Sequence, residues 1–273
     1  MGRCTNCGLH YLSQLLTRKT HATRIKEAYC TKKRYYIDAC VHRKSEVCRL
    51  EDFQHFYNLL KQLAPPGKWL DIGCGTGTFI ETVQKLGIEI EGVELIPGRK
   101  QLAVEITKTK IHDRPIELLD LPADSFSVVT MINVFSHLTS PAATLSYIHR
   151  ILQQSGVLLL YTSEIGAGVN KHHNHSWNLG DHRFYLGEHT IERYAERIGF
   201  EVFYREKRWA PGLLYSRENL LVKGRSTLRN IIKKSCVYTP GVLQVMRWYM
   251  LKIRNKNNPN YVSTLLLRRI TGK

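Results

Sequence analysis

The stretch from Trp69 to Phe79, WLDIGCGTGTF, constrains this chain more than any other part of it. An apolar run ends on an acid, Asp71, and three glycines follow at alternate positions, Gly73, Gly75 and Gly77, before a helix-like segment opens at Thr78. Glycine admits positive φ and carries no Cβ, so a strand that runs into such a turn brings its main chain close to something. The helix start beyond it presents N–H groups that no turn of helix satisfies. Strand, glycine turn and helix in that order predict the first unit of an α/β fold with a ligand at the turn.

Phosphates suit this turn poorly. No Lys-Ser or Lys-Thr pair follows the glycines, as a phosphate-binding P-loop requires, and G-C-G-T-G does not have the G-x-G-x-x-G spacing of a dinucleotide turn. Asp71 adds a negative charge that opposes a pyrophosphate and favours an ammonium. Elsewhere, short β-branched runs alternate with helical stretches. A helix is predicted over 51–63, where Phe53, Phe56, Leu59, Leu60 and Leu63 recur at helical spacing and Pro65-Pro66 stop it. Then come KWLDIG, a helix over 78–86, IEIEGVEL, a helix over 98–108, IELLD, FSVVTMIN, a helix over 141–153, GVLLLYT, a helix over 188–198, FEVFYRE and NLLVKGR. The alternation predicts βαβ units and a largely parallel sheet. The last two strands have no helix between them and are expected to pair antiparallel at an edge.

Across residues 65–225 the motifs, in order, resemble those of the class I S-adenosylmethionine-dependent methyltransferases. LDIGCGTG is similar to the family's first motif, and Glu94, at the end of IEGVEL, stands where the family's acid binds the ribose hydroxyls. LLDLPADSFSVVTMINVFSHL resembles the stretch in which an Asp, here Asp120, lies by the adenine, although D-L-P-A-D is equally good turn chemistry. AATLSYIHRILQQSGVLLLYT resembles the helix, glycine and strand that follow, and GDHRFYLGEHTIERYAERIGFEVFYRE the segment that closes the pocket in many small-molecule members. The resemblance implies a Rossmann-like, seven-stranded, mostly parallel sheet with helices on both faces and an antiparallel last strand. It implies adenosylmethionine as cofactor, with Asp71, Gly73, Gly75, Gly77, Glu94, Asp120 and Asn133 as its binding residues. The expected activity is methyl transfer to an oxygen, or a carbon, of a small molecule, a sugar or a lipid-linked intermediate. The alternatives are an RNA methyltransferase that uses basic extensions, and a protein that binds adenosylmethionine without turnover.

A sulfonium is already a good leaving group, so alignment and water exclusion dominate the demands on the protein. A hydroxyl acceptor benefits from a base titrating near neutrality, for which histidine is suited. His137 in NVFSH and His182 in GDHRFY are the candidate catalytic residues, with capping or packing as the alternative for each. Some relatives carry E-x-x-E-H at the His137 position and bind a divalent metal there. Here the residues are Asn133, Val134, Phe135, Ser136 and His137, so both carboxylates are missing and no metal is expected at this site. The run NKHHNHSW, residues 170–177, is expected to be a lid or substrate loop.

The net charge of +17 is not spread evenly. Residues 1–64 carry 12 Lys/Arg and 5 Asp/Glu, residues 65–200 carry 12 and 15, and residues 201–273 carry 16 and 3. Three regions are therefore expected: a basic, cysteine-rich extension over 1–50, a methyltransferase domain over 51–225, and a basic amphipathic extension over 226–273. Cys4 and Cys7 form one C-x₂-C, half of a zinc knuckle, with no second knuckle to complete it. Seven cysteines, an odd number, argue against a disulfide framework. In the tail, VLQVMRWYMLKIR and VSTLLLRRITGK mix aliphatic, aromatic and basic residues, which suits either an anionic membrane surface or packing on the core. The expected partner is a small-molecule or glycan- or lipid-linked substrate, with nucleic acid disfavoured because no adenine-N6 or cytosine motif follows the fourth strand. No apolar run reaches the length of a membrane span and no secretory h-region opens the chain, so a cytoplasmic protein with peripheral membrane contact is expected.

Overall fold

A computed structural model describes residues 2–11, 39–40, 42–44, 46–47, 49–165, 182–187, 189–209 and 260–270. The chain opens with two short strands, β1 (Gly2–Arg3) and β2 (His10–Tyr11), and then the helix α1 (Leu50–Leu63). The alternating part follows: β3 (Trp69–Ile72), α2 (Thr78–Gln84), β4 (Ile90–Val93), α3 (Pro97–Thr107), β5 (Ile111–His112), β6 (Phe126–Ile132), α4 (Pro141–Ile151) and β7 (Leu152–Ile165). β8 (Phe184–Tyr185), α5 (Thr190–Ile198), β9 (Phe200–Trp209) and β10 (Asn260–Arg269) complete the described elements.

Seven strands form one sheet in the order β5-β4-β3-β6-β7-β10-β9. The first five run parallel, and β10 is antiparallel to both of its neighbours. The chain moves outward from β3 through β4 to β5, then returns to the other side of β3 with β6. That reversal leaves a crevice beyond the carboxyl ends of β3, β4 and β6, where ligands of open α/β sheets bind.

Both faces of the sheet are covered, so its central strands read as nearly continuous apolar runs. On one face Phe53, Phe56 and Leu60 of α1 and Phe79, Ile80 and Val83 of α2 pack on Trp69, Val128, Val157 and Leu159. On the other, Leu145 and Ile148 of α4 and Ile191 and Ala195 of α5 pack on Leu70, Val129, Met131, Leu158 and Leu160. Adjacent residues such as Val128 and Val129 therefore serve opposite cores, as the period of a strand requires.

Two expectations are corrected. IELLD, residues 116–120, is not a strand. Ile116–Leu118 form a single 3₁₀ turn after Pro115, and the edge strand is the two-residue β5 before it. The C-terminal residues 260–269 are not an appendage to the sheet. They form β10, inserted between β7 and β9, with Leu265, Leu266 and Leu267 fully buried. VSTLLL is apolar because it is a central strand with a core on each side, and the placing of the whole of 226–273 outside the fold is corrected to that extent. NLLVKGR, NKHHNHSW and VLQVMRWYMLKIR lie outside the described residues.

Candidate active site

The glycine turn is shaped as its sequence demands. Gly73, Gly75 and Gly77 have φ of +71°, +59° and +80°, values that L-residues with a Cβ adopt at a cost. What approaches each of them is a group of this chain. A Cβ on Gly73 would lie 2.3 Å from Val134 Cγ2, one on Gly75 2.0 Å from Glu46 Oε1, and one on Gly77 2.8 Å from Thr107 Cγ2. Gly77 thus lets α2 pack on α3, Gly73 admits the loop after β6, and Gly75 faces a carboxylate.

Asp71 is 2% exposed and accepts a 2.6 Å hydrogen bond from Thr130 Oγ1 on the neighbouring strand β6. Burial pushes its carboxyl up to about 7; the Thr130 hydroxyl opposes the rise, and the charges of Glu46 and Glu94 add to it. Glu94, just beyond β4, is 7% exposed. Its Oε2 accepts from Gly75 N at 3.0 Å and its Oε1 from Ile96 N at 2.7 Å, so it braces the turn. Burial raises its pKa as well, against those backbone donors and the charges of Arg99 and His42. An ionised carboxylate has about four acceptor sites, so Glu94 keeps capacity for a diol beyond the two N–H groups it holds.

Glu46 was not foreseen. It lies on a helical segment near residues 42–47, and its side chain is 12% exposed. Its carboxylate accepts from Thr78 Oγ1 at 2.7 Å, Thr76 N at 3.3 Å and Thr76 Oγ1, and pairs with His42 Nε2 at 3.1 Å. Burial works against its ionised form, yet these partners outweigh it and hold its pKa below the ordinary carboxylate value. Arg43 fastens the same segment to α2 through Thr78 Oγ1 at 3.3 Å and Glu81 Oε2 at 2.5 Å. Three carboxylates therefore surround one turn, and the repulsion of Glu46 and Glu94 on Asp71 adds to the burial that disfavours its charge. A cation placed among them would relieve that repulsion.

On the acceptor side, Asn133 follows β6 with φ +60° and its N–H donates to Tyr161 O at 2.8 Å, while its side chain is exposed. Residues Phe135–His137 form a 3₁₀ turn from which Ser136 O accepts the N–H of Arg183 at 2.7 Å. That bond brings the two candidate histidines together. The rings of His137 and His182 meet edge to face at 4.7 Å between centroids, and Tyr185 stands 5.4 Å from His182, its phenol pushed up to about 12 by burial. β2 pairs with β8 behind this wall, His10 opposite Tyr185. Asp120 is exposed at the start of the loop that follows the 3₁₀ turn after Pro115. Among the described residues no three His, Cys, Asp or Glu are grouped to hold a metal ion, and Cys4 and Cys7 are free thiols.

Known proteins with the same features point one way. Residues 42–204 match the methyltransferase-domain family. The ubiquinone biosynthesis O-methyltransferase of Psychrobacter cryohalolentis is 29% identical over 103 residues, covering 35% of this chain and 40% of that protein. A malonyl-[acyl-carrier protein] O-methyltransferase of a Paenibacillus species is 30% identical over 105 residues, covering 35% and 38%. The chain thus spans about 40% of the length of the curated relatives it matches. Among solved structures, a putative sarcosine dimethylglycine methyltransferase from Galdieria sulphuraria superposes with a TM-score of 0.59 at 16% identity, over 84% of this chain and 88% of its own. Geranyl diphosphate C-methyltransferase from Streptomyces coelicolor, with S-adenosyl-L-homocysteine bound, gives 0.58 at 11% identity over 81% and 79%. The family match covers more than half of the chain, the strand order and acid-flanked glycine turn agree with it, and the chain belongs to the class I S-adenosylmethionine-dependent methyltransferase superfamily.

Proposed function

We propose that this protein moves a methyl group from adenosylmethionine to an oxygen, or a carbon, of a small molecule. The observation that carries the reading is the set of buried acids at the turn: Asp71 and Glu94 with raised pKa, facing Glu46, in a crevice at the carboxyl edge of a parallel sheet. A cationic, hydroxyl-bearing ligand answers both their charge and their acceptor capacity. The printed names of the relatives, a ubiquinone biosynthesis O-methyltransferase and a malonyl-[acyl-carrier protein] O-methyltransferase, support a small organic acceptor group.

Bound adenosylmethionine supplies an electrophilic methyl group. Glu94 would take the ribose diol with the acceptor sites its two backbone donors leave free, Asp71 would oppose the cationic end, and the Gly73–Gly77 turn would set the approach. Asp120 and Asn133 would line the adenine and transfer sides. His137 or His182 would hold the acceptor hydroxyl and take its proton.

The experiment is incubation of the purified protein with methyl-labelled adenosylmethionine and a fractionated cell extract, followed by mass spectrometry. Label in the small-molecule fraction is expected; label confined to RNA, or none at all, overturns the reading. Two variants sharpen it. Glu94→Ala should weaken binding of S-adenosylhomocysteine by about 1–3 kcal/mol through lost charge-assisted hydrogen bonds, and an unchanged calorimetric affinity in a folded variant would remove Glu94 from the site. His182→Ala and His137→Ala should each leave that affinity intact, while whichever is the base lowers kcat by about 10²- to 10⁴-fold. Full turnover in both would leave the pair a packing contact.

A further inference from the structure

We infer that Cys4 and Cys7 form an exchange-active dithiol, oxidised by a low-molecular-weight disulfide of the glutathione kind, and that its state is felt at the histidine wall. The turn between β1 and β2 brings the two thiols together. Cys4 N donates to Leu9 O at 2.8 Å and Gly8 N to Cys4 O at 2.9 Å, with Gly8 at φ +73° closing the turn. Inside it the N–H groups of Cys7 and Asn6 donate to the Cys4 sulfur, as does the Cys7 S–H, and these donors lower the pKa of Cys4. Burial raises that of Cys7. This asymmetry suits a C-x₂-C pair in which one thiolate attacks and the other thiol, still protonated, resolves. Both thiols are partly exposed, and they border an open pocket of about 780 Å³ that Arg3, His189, Arg193 and Glu196 also line. A small peptide disulfide has room there, with charges of both signs around it.

The Cys4 thiolate attacks one sulfur of the small disulfide, whose S–S bond breaks as a mixed disulfide forms on Cys4 and the first small thiolate leaves. That thiolate takes the proton of Cys7. The Cys7 sulfur then attacks Cys4, the mixed disulfide breaks, and the second small thiolate leaves and takes the proton that Cys4 gave to solvent on ionising. Two electrons pass from the protein to the small disulfide, which ends as two thiols. The turn is tied to the acceptor side of the site. Cys7 O accepts from Thr190 Oγ1 at 2.9 Å, and the same hydroxyl oxygen accepts from Gly187 N at 2.8 Å. A Cβ on Gly187 would lie 2.0 Å from Gly8 O, so the two backbones touch. β2 then pairs with β8, placing His10 opposite Tyr185, whose ring lies 5.4 Å from that of His182. Oxidation removes the thiolate to which Cys7 and Asn6 donate and joins the two sulfurs. The Cys7 peptide is re-aimed, its bond to Thr190 is lost, and the wall loosens from β8 inwards.

The test uses the full chain, equilibrated with reduced glutathione or with glutathione disulfide. Peptide mass spectrometry reads the state of each thiol, and hydrogen exchange reads the opening of the backbone. One intramolecular disulfide between Cys4 and Cys7 is expected in the oxidising buffer, reversed by dithiothreitol, while the buried Cys74 stays a thiol. Amides of residues 184–187 should exchange about 5-fold faster or more in the oxidised protein, the worth of one hydrogen bond. Cys7→Ser should halt at a glutathione adduct on Cys4. Thiols that stay reduced, separate adducts on both cysteines, or a metal ion held by the pair that blocks exchange would overturn the dithiol. Equal exchange at 184–187 in the two states would overturn its link to the wall.

Discussion

Gly73→Ala is expected to lower the stability of the protein by about 2–5 kcal/mol, the sum of a left-handed alanine at about 1–2 kcal/mol and an overpacked contact at about 1–3 kcal/mol. The backbone part follows from φ of +71°, and the contact part from a Cβ that would sit 2.3 Å from Val134 Cγ2. Domains of this size shift by about 2–4 °C in Tm for each kcal/mol, so a fall on the order of 4–20 °C in a thermal melt is the expected reading. Two further variants separate the parts. Gly87→Ala has a similar φ of +85° with nothing within 4 Å of the new Cβ, and should lose only the backbone part. Adding Val134→Ala to Gly73→Ala should recover the contact part and leave the rest. Val134 leads directly into the 3₁₀ turn that carries His137, so in the single variant the histidine wall is displaced with it and turnover falls along with stability. A Gly73→Ala variant that melts like Gly87→Ala would show that the loop after β6 does not rest on the turn.

The parts of the site that could be read from the letters are those built within one strand, turn and helix unit. Asp71, the three glycines and the acid at Glu94 lie on β3, its turn and β4, and spacing along two adjacent parallel strands places them at one edge. Glu46 escaped because its contacts with Thr76 span 30 positions and come from a helical segment whose periodicity is too short to recognise. Basicity misled in the same way at the other end. Residues 260–269 carry Arg268 and Arg269 after an apolar run, and the charge drew attention to surfaces, whereas the run itself fills the slot between β7 and β9. A strand separated from its sheet neighbour by the residues 210–259 gives no local signal of pairing. IELLD had the composition of a strand, yet the Pro115 that precedes it and the exposed Leu118 fit a single turn that leaves the sheet instead. His137 and His182 were separate candidates by position, and only the bond between Arg183 N and Ser136 O, across 47 positions, makes them one wall.

Asp71→Asn should make the protein more stable at pH 8 and worse at binding its ligand, because the acid is kept for its charge against a folding penalty. The unfolded carboxyl titrates near 3.8 and the folded one at about 7. Between those values the folded chain holds a proton that the unfolded chain has lost, so stability from this group is complete below the lower value and is lost as pH rises through the upper one. At 1.36 kcal/mol for each pH unit, the loss approaches about 4 kcal/mol by pH 8. Asparagine has nearly the same shape and its Oδ1 can still accept the Thr130 hydroxyl, but it does not ionise. Melts of the two proteins should therefore nearly coincide near pH 3, differ by about 3–6 °C at pH 5 and separate by about 8–16 °C at pH 8, with the variant higher. The affinity for S-adenosylhomocysteine should move the other way. In the unaltered protein it should rise from pH 6 to pH 8 as Asp71 gains its charge, and in the variant it should stay low and nearly flat over that range. Equal melting at pH 8 would mean that Asp71 is ionised without strain, and the acids around the turn would then hold no unanswered charge for a sulfonium ligand to meet.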